Sequence, residues 1–236
     1  MGLVIMLIKL IEIQNFRKLK ACRIEFSQQK TVFVGANNSG KTSAMDAVIK
    51  FLTSKNKFCA NDITISNWNA INEIGKLWEK EVKSGLSAQE WVDLMPALDV
   101  WLEVTKNEIH HITHLLPTLD WDGEPIGVRL ALEPENVEAF YKDYYEVFNN
   151  SASVISAAKQ DGGDKIVSLK LWPNDMHDFL ERKLDGYFTL RAYILDPTKL
   201  VDINGGVATP QKLPDNSEPI QGNPFKGLIR IDSINA

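Results

Sequence analysis

The amino-acid sequence predicts an α/β fold in which strands lead into a glycine-rich loop and a helix leads out of it. Three observations carry that expectation. Residues 7–34 contain three short apolar runs with strand-like alternation. Residues 35–42 read Gly-Ala-Asn-Asn-Ser-Gly-Lys-Thr. From Thr42 to Leu52, the apolar residues Ala44, Met45, Ala47, Val48, Phe51 and Leu52 recur at helical spacing.

Taken in order, Leu7, Ile11 and Ile13 fall on one face of the first strand and Ile8 and Leu10 on the other, so both faces should be covered. A turn, NFRKLK, leads to a second strand, ACRIEF, and QQK leads to a third, TVFV, which ends at Gly35. Residues 68–95 read as two helical pieces. The first carries Ile71, Ile74, Leu77, Trp78 and Val82, and Gly85 breaks it. Ser87 and Glu90 have capping-box spacing at the start of the second, and Pro96 stops it. LDVWLEV alternates, and DWDGEPIGVRLAL combines a turn with another strand, which suggests an antiparallel hairpin or meander. Pro134–Phe148 predicts a helix with the stripe Phe140, Tyr141, Tyr144 and Phe148. KIVSLKLW is a strand, Asn174–Leu184 a capped helix closed by Gly186, and YFTLRAYIL a further strand. Residues 202–224, rich in Gly, Pro, Asn and Asp, form a long loop expected to be functional or flexible. LIRIDSI is a last strand-like run, within residues 225–236.

The loop at 35–42 matches G-x-x-x-x-G-K-[ST] in full. Gly35 and Gly40 allow backbone N–H groups to turn inward around an anion, and Ala36, Asn37, Asn38 and Ser39 line the same wall. The start of the following helix, with Ser43, adds its positive dipole end. Lys41 supplies a compact cation for the β and γ oxygens of a nucleotide, and the Thr42 hydroxyl is the expected Mg²⁺ ligand. ATP with Mg²⁺ is therefore the expected cofactor.

This loop, together with the upstream element I-x-N-F-R-x-L-K from Ile13 to Lys20, resembles the ABC-type ATPase heads of the RecF, SMC and overcoming-lysogenization-defect (OLD) group. The double asparagine Asn37-Asn38 and the segment NDITISNW look most like the OLD branch. Motif-level resemblance covers residues 7–68. It implies a P-loop NTPase whose mixed sheet carries an antiparallel β subdomain. Residues 1–60 would hold the strands, phosphate loop and first helix, residues 61–201 a helical and β insertion, and the whole chain the N-terminal part of a longer ATPase. It further implies that Asn15, Phe16 and Arg17 lie near the base and sugar. A flat aromatic and a guanidinium can stack on adenine, while the alternative leaves Phe16 in the core and Arg17 in a solvated turn. The function implied is ATP-driven work on DNA, in repair or phage defence, with ATPase heads pairing into homodimers or larger oligomers. Rival readings are a non-hydrolysing regulatory or assembly module and a small-molecule kinase. The strands that precede the loop count against the kinase.

Elements required for hydrolysis are not recognisable. Tyr193-Ile194-Leu195-Asp196 imitates an acidic Walker B strand, but Pro197 follows where a glutamate is needed, so Asp196 reads as a strand end. Gln221 has no supporting pattern. His110, His111 and His114 would place two imidazoles on one helical face, yet no H-E-x-x-H or cysteine cluster accompanies them. A solvated histidine run is the better reading. Asp120, Asp122 and Glu124 around Gly123 are turn chemistry. Arg17, Lys18, Lys20 and Arg23 form a basic hairpin that is either solvated or set against a nucleic-acid backbone. A net charge of −5 excludes a uniformly basic nucleic-acid surface. No run reaches the roughly 18 apolar residues of a membrane span, and the opening MGLVIMLIKL lacks the features of a secretory signal. Cys22 and Cys59 have neither metal nor disulfide spacing, which points to the cytoplasm.

Overall fold

The structure, a computed structural model, describes residues 7–53, 57–80, 86–116, 121–160, 171–201, 206–214 and 216–232. It divides into two compact units, one formed by Met1–Lys57, Pro96–Leu132 and Leu190–Ala236, the other by Phe58–Met95 and Glu133–Thr189. Residues 96–132 and 190–201, read from sequence as part of an insertion, thus belong with the N-terminal strands.

The first unit is built on a sheet of β1 (Leu7–Phe16), β2 (Leu19–Glu25), β3 (Ala97–Glu103), β4 (Ile126–Pro134) and β5 (Phe188–Leu195), in the order β2-β1-β3-β4-β5. The pairs β1/β2, β1/β3 and β3/β4 are all antiparallel. These pairings supply the antiparallel part of the expected architecture. The expectation of two covered faces holds for β1, where Leu10, Ile11 and Ile13 are all buried. It extends to β3, whose residues 97–102 are buried without alternation.

A row of charges crosses this sheet. Glu12 lies opposite Arg23 on β2 and Asp99 on β3, and Asp99 lies opposite Arg129 on β4. All four are buried. Arg129 donates twice to Asp99, through Nε and Nη2 at 2.7 Å each, the bidentate geometry that buried charge requires. Residues from the expected loop at 202–224 lie along the same sheet. The Arg23 amide donates to the Gly206 carbonyl at 2.9 Å, and the Thr209 amide donates to Glu12 Oε1 at 3.3 Å. Farther on, Gln211 exchanges two 3.0 Å hydrogen bonds with the Asp196 backbone, and the Ile220 amide donates to the Ala192 carbonyl at 2.7 Å. Leu213 packs on the Leu10–Trp101–Leu195 cluster. The described part of this segment is thus a strap fastened to the sheet; residues 202–205 and 215 lie outside the described residues.

Helix α1 (Lys41–Leu52) buries Ala44, Ala47 and Phe51, close to its expected bounds. The expected third strand differs. Residues 30–36 form no strand, and Val32 and Val34 are 63% and 89% exposed. Strand identity comes from ladder partners, and among the described residues none lies alongside TVFV. LIRIDSI likewise forms no strand over its described part, 228–232.

The second unit gathers α2 (Trp68–Glu79), α3 (Ala88–Val92), α4 (Val137–Gln160) and α5 (Met176–Tyr187) around an aromatic core. Phe140 lies 5.0 Å from Trp78 and 5.2 Å from Trp91 between ring centroids, and Tyr144 lies 5.3 Å from Phe179. Offset and edge-on pairs of this kind add about 0.5–1.5 kcal/mol each beyond simple burial. Of the expected stripe, Phe140 and Tyr144 are fully buried, and Tyr141 and Phe148 only partly. The Ser87 hydroxyl caps α3 by accepting from the Gln89 amide, not from Glu90. Gly186 does not end α5, which runs through it to Tyr187, with Asp175 capping its start. KIVSLKLW lies outside the described residues except for Leu171 and Trp172, which form no strand. No described helix is long and apolar enough to cross a membrane.

Candidate functional site

The site begins where the chain turns from extended backbone into α1. Gly40 caps the helix with φ +92 and ψ 2, a left-handed conformation natural to glycine, and makes no side-chain capping bond. The first helical hydrogen bond runs from the Ala44 amide to the Gly40 carbonyl at 2.9 Å. The amides of Lys41, Thr42 and Ser43 therefore lie outside the helical ladder, as donors at the positive end of the dipole. No acidic residue stands in this first turn. Asn38 also adopts a left-handed φ of 68, and the Ser39 amide closes a turn onto the Ala36 carbonyl at 3.3 Å. A Cβ on Gly35 would fall 2.9 Å from Ser39 Oγ, a contact that rotation of the serine hydroxyl can relieve.

Lys41 folds back over the loop. Its ammonium donates to the carbonyls of Gly35 at 2.6 Å and Ala36 at 2.7 Å, with Ser39 Oγ at 3.4 Å. The cation thus sits on the loop that its motif assigns it to. Thr42 is exposed and Ser43 half-buried. Backbone donors, an ammonium, a hydroxyl and the absence of any carboxylate from the first turn make a donor set that fits a polyphosphate with its Mg²⁺.

The turn between β1 and β2 braces this loop from outside the motif. Asn15 and Arg17 both take left-handed φ values, 52 and 50, which fold the turn tightly. The Arg17 guanidinium pairs with Asp46 on α1 and lies 5.1 Å from the Phe16 ring centroid. Lys18 donates to the Asn38 side-chain oxygen at the loop's apex. Leu19 Cδ2 would stand 3.0 Å from a Cβ on Gly40. Phe16 itself is wholly buried, its ring centroid 6.3 Å from that of Phe51. That is the core alternative for Phe16, and neither face of its ring is open to a base in this arrangement. Sequence reading missed Asp46 and the loop-facing roles of Lys18 and Leu19. The Arg17–Asp46 pair spans 29 positions, and no local pattern announces it.

Other expected constellations resolve into structure. Of the basic hairpin, Arg17 pairs with Asp46, Lys18 reaches the loop and Arg23 is buried, while Lys20 is exposed. His110 and His111 stand in a 3₁₀ turn, Lys106–His111, and His114 in another, Thr113–Leu115, so the α-helical spacing is not realised. A His114 ring nitrogen contacts the Pro224 carbonyl at 3.0 Å. Among the described residues no group of three or more His, Cys, Asp or Glu could hold a metal. Glu124 accepts from the Asp122 amide at 3.2 Å, closing an ordinary turn. The Asp196 carboxylate caps a 3₁₀ turn, accepting from the Thr198 amide at 3.0 Å and hydroxyl at 2.7 Å; these bonds and Lys199 hold it below the usual carboxylate range. It is a strand end, as its sequence context suggested. Gln221 lines a cleft of about 590 Å³ with Phe51, Leu52 and Ile220, at the opposite end of α1 from the loop.

Against known proteins, a family profile described as the AAA ATPase domain matches residues 6–170. The DNA replication and repair protein RecF of Geobacter metallireducens is 32% identical over 73 residues, 31% of this chain and 20% of that protein. RecF of Listeria welshimeri is 33% identical over 75 residues, 32% of this chain and 20% of that protein. The matched stretches thus span about a fifth of these relatives' length. No solved structure matches significantly.

Proposed function

The chain belongs to the AAA ATPase domain family, and from that premise we propose that residues 35–43 bind Mg-ATP as the nucleotide-binding part of an ATPase working in DNA metabolism. The observation that carries the reading is the Lys41 ammonium resting on the Gly35 and Ala36 carbonyls beside the uncapped start of α1. An ammonium held by neutral carbonyl oxygens gains the attraction of an opposite charge when it exchanges them for anionic phosphate oxygens. The amides of residues 40–43 would take the inner phosphates and the Thr42 hydroxyl the metal. Magnesium neutralises the phosphate oxygens and orients them for transfer when it is bound.

Arg17 serves this site by clamping α1 through Asp46, and Asn15 shapes the turn beside it. DNA as partner rests on the RecF relatives, named for DNA replication and repair. Repair is favoured over phage defence on the same ground. OLD-type membership, an ABC-type arrangement of heads, pairing of those heads and a cytoplasmic location belong to the same proposal. A second reading, binding without turnover, is favoured by Asp196, whose carboxylate is engaged in its own turn.

Titration of the chain with ATP, with and without magnesium, tests the core of this. Wild type should bind in a magnesium-dependent manner, and Lys41→Ala should weaken binding by about tenfold or more. Unchanged affinity in Lys41→Ala overturns the assignment. Phosphate release that this substitution abolishes would remove the non-hydrolysing reading.

A further inference from the structure

Lys18 stands outside the phosphate-binding motif, yet its ammonium reaches the apex of the loop and donates to the Asn38 side-chain oxygen. The turn is constructed to present it there. Arg17, immediately before, is held at φ 50 with its guanidinium on Asp46, and Leu19, immediately after, packs toward Gly40. Both neighbours of Lys18 are therefore fixed to α1 and the loop, and the lysine between them has little choice of direction.

Two ammonium groups consequently converge on one loop, Lys41 on the Gly35 and Ala36 carbonyls and Lys18 on Asn38. Every oxygen they contact is neutral. Among the described residues no carboxylate pairs with Lys18, which is exposed. A surface lysine placed for stability would find an acidic partner or point to solvent, and this one is aimed at a loop built for anions.

We propose that Lys18 is a second phosphate-binding cation, which exchanges the Asn38 oxygen for the terminal phosphate of a bound nucleoside triphosphate. The amides of α1 serve the inner phosphates and Lys41 the β and γ oxygens, and Lys18 approaches the terminal phosphate from the loop's apex. Its contribution therefore falls on triphosphate and not on diphosphate. The inference rests on reading residues 35–43 as the nucleotide loop, and makes Lys18 a specificity-determining residue of that site.

The experiment compares ATP and ADP affinities of wild type, Lys18→Ala, Lys18→Arg and Lys41→Ala in the full chain. Lys18→Ala is expected to weaken ATP about tenfold while ADP changes less than about twofold, and Lys18→Arg to restore most of the ATP affinity. Equal weakening of both nucleotides overturns the proposal, since a lysine that only shapes the loop acts on both. ATP binding unaltered by Lys18→Ala overturns it as well, and leaves the nucleotide loop standing. A wild-type chain that binds neither nucleotide brings down the underlying reading and the inference with it. Because Lys18 is exposed, its loss should not disturb folding, and a matched thermal midpoint confirms that the affinities are comparable.

Discussion

The phosphate loop is entered and left through very different structure. On the exit side, α1 buries Ala44, Ala47 and Phe51, Phe51 packs near the fully buried Phe16, and Arg17, Lys18 and Leu19 each engage the loop or its helix. On the entry side, residues 30–36 have no ladder partner among the described residues, and Val32 and Val34 are largely exposed. The loop nevertheless has its left-handed Asn38 and Gly40 and its folded-back lysine. The contacts that brace this shape come from the helix and the β1–β2 turn.

That contrast can be broken by substitution. Phe16→Ala should be the largest blow, about 3–5 kcal/mol in denaturant unfolding, because a buried ring leaves a cavity that the sheet cannot collapse. A cost below about 1 kcal/mol would mean the exit side is not the firm one. Gly40→Ala forces a left-handed alanine and a Cβ 3.0 Å from Leu19. It should cost about 1–2 kcal/mol and weaken nucleotide binding in the same titration that tests Lys41. Arg17→Ala removes a half-exposed pair and should cost at most about 1 kcal/mol, a loss that added salt also produces.

Within β1, burial pushes the Glu12 carboxyl above its ordinary 4.5, and Asp99 pushes the same way. The folded state then holds that proton more tightly than the unfolded chain. This contribution to stability is present below about pH 4.5 and is lost as pH rises through the folded value. Glu12→Gln, which keeps an acceptor for the Thr209 amide, should flatten that fall in a pH series of unfolding midpoints. A steeper fall would contradict it. Smallest of all, Val34→Thr should change stability by no more than about 0.5 kcal/mol, since its side chain meets solvent. A larger loss would show that the entry side is packed after all.

Sequence legibility followed the same division. Much of the loop could be read from its residue types, because they answer to local geometry and charge: Gly40 where φ is positive, lysine and threonine at a helix start. Helical periodicity located α1 within one residue, and alternation found β1 and β3 for the same reason. TVFV has strand composition, but pairing is a relation between distant segments, and composition cannot supply the partner. The same holds for the antiparallel neighbours of β1, which come from residues 19–25 and 97–103, and for Asp46 as the mate of Arg17. Gly186 illustrates the opposite error. Glycine is a weak helix former, yet the buried Phe179, Leu180 and Leu184 hold α5 together past it. The three histidines are exposed, in keeping with a solvated run, and the 3₁₀ turns remove the shared α-helical face that their spacing offered.

The bare stretch before the loop also has a bearing on how the protein behaves in the test tube. Val32 and Val34, largely exposed and outside any strand of the described residues, give other molecules apolar surface to associate with. Concentrated samples should scatter light progressively, and the rate should rise with protein concentration. A charged residue in place of Val34, such as Val34→Lys, should clear the solution without moving the thermal midpoint.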